Sequence, residues 1–265
     1  MVNPRSSAFT LVELLVVVAI LAVLAGIGSA AYFSAVDKAG TVAEITAAKT
    51  LMTAYQAAAA DRGGLLLPSR DRSATDVLNG EGNPISNREV SARYPFRLAP
   101  YFNYAIDDTL LASSNKSQIL QVMKLPSASG PMYDYGISVF PSFGISRYLV
   151  GGNADEDMPS DECVRTLAQA DHSIITFVSA GSDEINGYEY VRSPGEPGGN
   201  WSASPWSDDS SPGDYGHVHP RHQDKAVAAF LDGSVRLMTV EELRDMRLWS
   251  RQAAMRNDPA YRPGS

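Results

Sequence analysis

Apolar residues run through 14–27 with only Gly26 between them, and 9–12 extend the run toward the N-terminus. With 28–36 the stretch covers about 28 residues, roughly 40 Å as a helix at ~1.5 Å per residue; a bilayer core needs about 20 residues. The pattern then changes. Val42, Ile45, Leu51, Met52, Tyr55 and Ala58 recur at spacings of three and four, which predicts one face of a continuing helix, with Lys38, Lys49 and Asp61 at polar positions. Gly63-Gly64 is a helix stop. A helix over 9–62 would be about 80 Å long, and Gly26 and Gly28 are places where it can bend, at about 1 kcal/mol each.

Beyond residue 62 the pattern breaks into short pieces. Residues 63–92 read as loop with a short helix near 75–78. Residues 101–111 and 136–150 place aromatic and β-branched residues between turn signals, which suits strands and connecting loops, and 173–178 is the clearest buried strand. Residues 192–216, rich in Gly, Pro, Ser and Asp and holding Trp201 and Trp206, predict a long surface loop. Residues 225–231 and 234–238 flank Asp232-Gly233, a type I′ hairpin signal with positive φ at both central positions. Thr239-Val240-Glu241-Glu242 has capping-box spacing. Leu243, Met246, Trp249 and Ala253 then predict one face of a terminal helix over 240–256, with Arg244, Arg247 and Arg251 off that face.

Composition divides at the same place. The chain has 265 residues, 44% of them apolar, and a net charge of −8. Residues 1–62 carry four basic and four acidic side chains, so the acidic excess lies beyond them. Residues 5–67 contain no proline. An acidic chain lacks the basic face of a general nucleic-acid binder, so no nucleic-acid partner is expected. A single cysteine, Cys163, excludes an intrachain disulfide framework and a multi-cysteine zinc site.

Arg5 ahead of an apolar run also suits a secretory signal peptide or an uncleaved anchor. Two details argue against the signal peptide: Glu13 lies in its apolar stretch, and helical patterning continues past where a cleaved signal would end. A carboxylate at the start of a membrane helix costs about 2.5–3.5 kcal/mol unless paired or interfacial. A cut between Ala8 and Phe9 would create an ammonium four residues from Glu13. One subunit's amine would then neutralise another's carboxylate and fix an axial stagger between packed helices.

Residues 8–17, Ala-Phe-Thr-Leu-Val-Glu-Leu-Leu-Val-Val, resemble the prepilin cleavage and methylation segment of type IV pilins and type II secretion pseudopilins. The family normally has Gly before the cut, and Ala8 stands there in this chain. Ala54-Tyr55, Asp61-Arg62-Gly63-Gly64 and Pro68 resemble, more weakly, the end of the long pseudopilin helix. His222, with Asp232-Gly233 ten residues on, resembles an H-x9-D-G carboxy-terminal region of large pilin-like families; residues 171–175 resemble the strand entry before it. The resemblance implies an α+β pilin-like fold: a long N-terminal helix, transmembrane in its first half, packed on a globular head with an antiparallel β-sheet. It implies a leader over 1–8, a membrane and filament-core helix over 9–36, an amphipathic continuation over 37–62 and a head over 63–265. The head divides into a variable part over 63–170 and the H-x9-D-G region over 171–240, followed by the terminal helix. It also implies cutting by prepilin peptidase before Phe9, N-methylation of Phe9 and an assembly role for Phe9 and Glu13. The expected partners are copies of the chain or other pilins, inner-membrane assembly machinery and membrane lipid. The expected location is the inner membrane, then a periplasmic pseudopilus or cell-surface filament, with no substrate turnover.

Three features of the head offer other chemistry. His217, His219 and His222 echo a metallo-hydrolase H-x-H-x-D-H motif, but Arg221 takes the Asp position and only 43 residues follow; hydrogen-bonded structural histidines are the alternative. Asp155, Asp157, Asp161 and Glu162 cluster after Gly151-Gly152-Asn153 and form a calcium candidate, or a solvated acidic loop. Trp201 and Trp206 suggest a surface ligand-binding module, or residues that pin their loop to the body.

Overall fold

The computed structural model describes residues 11–112, 114–156, 161–170, 173–199 and 201–264. The leader segment over 1–8 and Phe9 lie outside them. The chain divides into two compact units, 1–42 and 43–265. Helix α1 (Leu11–Asp61) contributes to both.

In the first unit the side chains over 11–23 are exposed, Leu11 and Val23 among them. No helix among the described residues is long and apolar enough to cross a membrane, so the expected transmembrane first half is not seen as such.

In the second unit the expected apolar stripe of α1 is buried at Leu51, Met52, Tyr55 and Ala58. Val42, expected on that stripe, is 62% exposed, and the buried face begins instead with Glu44 and continues through Ala47 and Ala48. Gly63 and Gly64 stop the helix with positive φ, and Gly64 N donates to Ala59 O at 2.8 Å.

Short helices follow: α2 (Arg88–Ala92), α3 (Tyr94–Leu98), α4 (Ile106–Thr109), α5 (Asn115–Val122) and α6 (Pro131–Val139). The expected helix near 75–78 is absent among the described residues. Residues 101–111, suited to strands and connecting loops, form a 3-10 turn and α4, because Asn103 and Tyr104 both take positive φ and break extension. The first part of 136–150 belongs to α6, opened by Pro131 at its first turn. Gly136 lets α6 approach α5; a Cβ there would meet Ile119 at 2.6 Å.

The strands are β1 (Phe143–Ser146), β2 (Ile175–Ser179), β3 (Tyr190–Val191), β4 (Lys225–Phe230) and β5 (Val235–Thr239), in the order β3-β1-β2-β4-β5. The sheet is mixed, not antiparallel throughout: β3 runs parallel to β1, pairing Ile145 with Tyr190 and Ser146 with Val191. The cause is the short connection over 180–189. Antiparallel β2 delivers the chain to the end where β1 starts, and β3 must set out from there. A register shift interrupts β2 and β4 between Ile175 and Phe177. Both faces of the sheet are covered, which accounts for the continuous apolar run of β4. Val227 and Ala229 join the core shared with Tyr55 and Phe177; Ala226, Ala228 and Phe230 join that of Trp249 and Leu243.

The hairpin is present, but its loop has three residues. Gly233 N donates to Phe230 O and Phe230 N to Ser234 O. Gly233 takes φ of +87° while Asp232 keeps negative φ, the geometry of a turn closed by a bulge. The capping box of Thr239 and Glu242 is formed. The terminal helix expected over 240–256 is broken into α7 (Val240–Leu243), a 3-10 turn (Met246–Leu248) and α8 (Arg251–Arg256). Asp245 and Ser250 each cap a new start, and the indole of Trp249 donates to Leu243 O at 2.7 Å. All four residues of the predicted face are nonetheless buried.

Candidate assembly helix and its buried carboxylate

Glu13 lies in the first turn of α1 and is exposed among apolar neighbours. A negative charge there complements the positive end of the helix dipole.

Glu44 has the opposite setting. It is completely buried, and its two oxygens meet four donors. Arg221 Nη2 donates to Oε1 at 2.7 Å and Nε to Oε2 at 3.0 Å. His222 Nε2 lies 2.6 Å from Oε2, and Ser179 Oγ donates to Oε1 at 2.6 Å. Arg221 also donates to the carbonyls of Ala180 and Ser142, at 2.8 Å each, and Ser179 Oγ accepts from Val227 N at 2.9 Å. The cluster ties α1 to β2, to the entry of β1 and to the start of β4. Burial pushes the Glu44 carboxyl up, but the charges and hydrogen bonds of Arg221 and His222 outweigh it and hold the group far below the carboxylate range.

A tight turn aims His222. Its N and O bond to O and N of Lys225, and Gln223 and Asp224 both take positive φ, the pair of values expected at 232–233. The stretch 222–233 therefore places one turn at each end of β4. At the far turn Asp232 accepts from Ser173 Oγ and, at 2.8 Å, from Ser234 N.

The segment ahead of and through the start of α1 decides the family of processing signal. Residues 3–29 match the prokaryotic N-terminal methylation motif. No curated protein and no solved structure matches the chain. The motif supports a type IV pilin-like or pseudopilin precursor and points to a structural subunit. It covers Ala8, Phe9 and Glu13 and not the carboxy-terminal His222 and Asp232-Gly233.

The remaining expected sites are dispersed. His217 takes positive φ and stacks on Tyr188 with ring centroids 3.7 Å apart. His219 packs beside Trp206, and burial with the nearby Arg221 charge lowers it to about 4. His222 faces Glu44, so the three rings do not converge. Among the described residues no group of three or more His, Cys, Asp or Glu could hold a metal ion. Two carboxylates of the calcium candidate have partners within the protein. Asp155 binds Arg70 at 3.0 Å and accepts from Arg72 N at 3.0 Å. Glu162 accepts from Tyr261 OH at 2.6 Å. Asp161 is exposed, and Asp157 lies outside the described residues. The tryptophans pin their loop: Trp201 Nε1 donates to Arg192 O at 2.9 Å and packs edge-on against Trp249, and Trp206 packs against Tyr215.

Glu44, Arg221 and Ser179 are absent from the sequence reading as a site. One signal was there: Glu44 stands three, four and seven residues before Ala47, Ala48 and Leu51, a carboxylate on an apolar stripe.

Proposed function

We propose that the chain is the precursor of a structural subunit of a type IV pilus-like filament or type II secretion pseudopilus. The methylation motif over 3–29 carries this reading, with the exposed apolar side chains over 11–23 as its physical counterpart. Prepilin peptidase cuts between Ala8 and Phe9, and the new amine of Phe9 is methylated. Residues 9–36 lie in inner-membrane lipid before assembly and in the filament core after it. There the Phe9 amine of one subunit pairs with Glu13 of a neighbour, and the head is displayed in the periplasm or at the cell surface. The buried Glu44 cluster supports the reading from the other side, since a head carried by a helix under load needs an anchor between them.

Mass spectrometry of the mature N-terminus tests this. The expected result is a chain beginning with methylated Phe9; a chain that keeps residue 1 in cells with active prepilin peptidase overturns it.

A further inference from the structure

A polar cleft of about 280 Å³ opens in the head between the segment after α1, the segment around Asn153 and β3. One wall is a stack of rings and a cation. The Arg147 guanidinium lies 4.4 Å from the Tyr190 ring centroid and 5.0 Å from that of Tyr148. Tyr188 packs edge-on to Tyr190 at 5.0 Å and is backed by His217. Both tyrosines are half-buried; the Tyr190 ring is covered by Arg147, with Arg192 5.6 Å from its centroid, whereas Tyr188 is stacked on His217 by one face.

The charges of the cleft are balanced within it. Arg70 binds Asp155 and Glu89, Arg147 binds Glu156 at 2.5 Å, and Arg93 reaches Glu189 at 2.5 Å.

This combination selects a ligand class. An anion or a cation would have to compete with ion pairs already made, and gains little from a neutral surround. An apolar ligand would cover guanidinium and carboxylate groups without satisfying them. A neutral polyhydroxylated ligand both donates and accepts, so it can bond to guanidinium and carboxylate groups without displacing either from its partner. The C–H face of one of its rings matches the ring of Tyr188. Ligand pockets run from about 300 Å³ upward, so this cleft suits a small occupant. We propose that the cleft binds a neutral saccharide of one or two rings, stacked on the face of Tyr188 turned away from His217 and hydrogen-bonded by Arg147, Asn153 and Asp155. The proposal concerns the head alone and stands whether or not the chain enters a filament.

The test is saturation-transfer NMR with calorimetry on the full chain in a detergent without a sugar headgroup. The probes are glucose, galactose, N-acetylglucosamine, maltose and cellobiose, with inorganic phosphate and calcium as the charged alternatives. At least one sugar is expected to bind with Kd around 1 mM. Tyr188→Ala and Arg147→Lys should each weaken it about tenfold or more, while Trp206→Ala, outside the cleft, should not. Arg147→Lys keeps the charge facing Glu156 and loses the planar fork, so an unchanged melting temperature separates binding from folding. No sugar binding at about ten times that concentration, tighter binding of phosphate or calcium than of any sugar, or unchanged sugar affinity in a folded Arg147→Lys overturns the proposal.

Discussion

Glu13 and Glu44 lie on the same helix and are treated in opposite ways. Glu13 is exposed in a turn whose neighbours are apolar and also exposed. Glu44 is buried, and the chain brings Ser179, Arg221 and His222 to it across more than 130 residues of sequence. Burying a charge is unfavourable unless the fold supplies partners in good geometry, and the head supplies four donors for two oxygens. A carboxylate within apolar surroundings carries a similar penalty in lipid or in a filament core. For Glu44 the compensation lies inside the head; under the proposed function a neighbouring subunit's amine supplies it for Glu13.

The sharpest way to break this comparison is to remove Glu44. Glu44→Ala leaves Arg221 and His222 buried without their carboxylate, and urea unfolding should show a loss of about 3–5 kcal/mol. A loss below about 1 kcal/mol would mean that the cluster is not an anchor.

Glu196 sharpens the comparison within the head. It is as buried as Glu44, but its hydrogen bonds come from Ser193 N and Oγ, at 3.1 Å each. Burial therefore prevails and raises the carboxyl to about 7. The folded state then holds its proton at pH values where the unfolded chain has lost it. Stability is unaffected below the unfolded value of about 4.5 and falls as pH rises from there to about 7. Glu196→Gln should stabilise the protein by about 3 kcal/mol at pH 8 and by almost nothing near pH 4. A gain independent of pH would refute the assignment.

Gly233→Ala perturbs the far turn of β4 without touching Glu44. With φ at +87°, the substitution should cost about 1–2 kcal/mol, readable as a lower melting temperature. An equal loss in a double variant with Glu44→Ala would show independent sites, and a smaller one would show coupling along β4.

The smallest effect on stability is expected at the other end of the comparison. Glu13→Ala should move head unfolding by no more than about 0.5 kcal/mol and leave processing intact, yet reduce incorporation into filaments. Normal incorporation, measured in sheared filament fractions, would break the parallel between the two carboxylates.

The sequence made some of this legible and hid the rest for identifiable reasons. Helix α1, its stop at Gly63-Gly64, the core of β2, the β4–β5 hairpin and the Thr239 cap are local features, written in periodicity, glycine and capping chemistry. Aromatic content over 101–111 suits strands and connecting loops and says nothing of the helical turns, whose shape is set by positive φ at Asn103 and Tyr104. The terminal stripe was read correctly and its continuity was not, since Asp245 and Ser250 restart the backbone. Parallel β3 followed from where β2 ends, which no local pattern records.

By itself the sequence determined the N-terminal methylation motif, the long helix and the part of its buried face from Leu51 to Ala58, because these depend on residue type and spacing along one element. Tertiary structure alone decided what Glu44 means. Arg221 and His222 lie 177 and 178 residues away from it, and whether a carboxylate on an apolar stripe is a liability or an anchor depends on which side chains the fold brings to it.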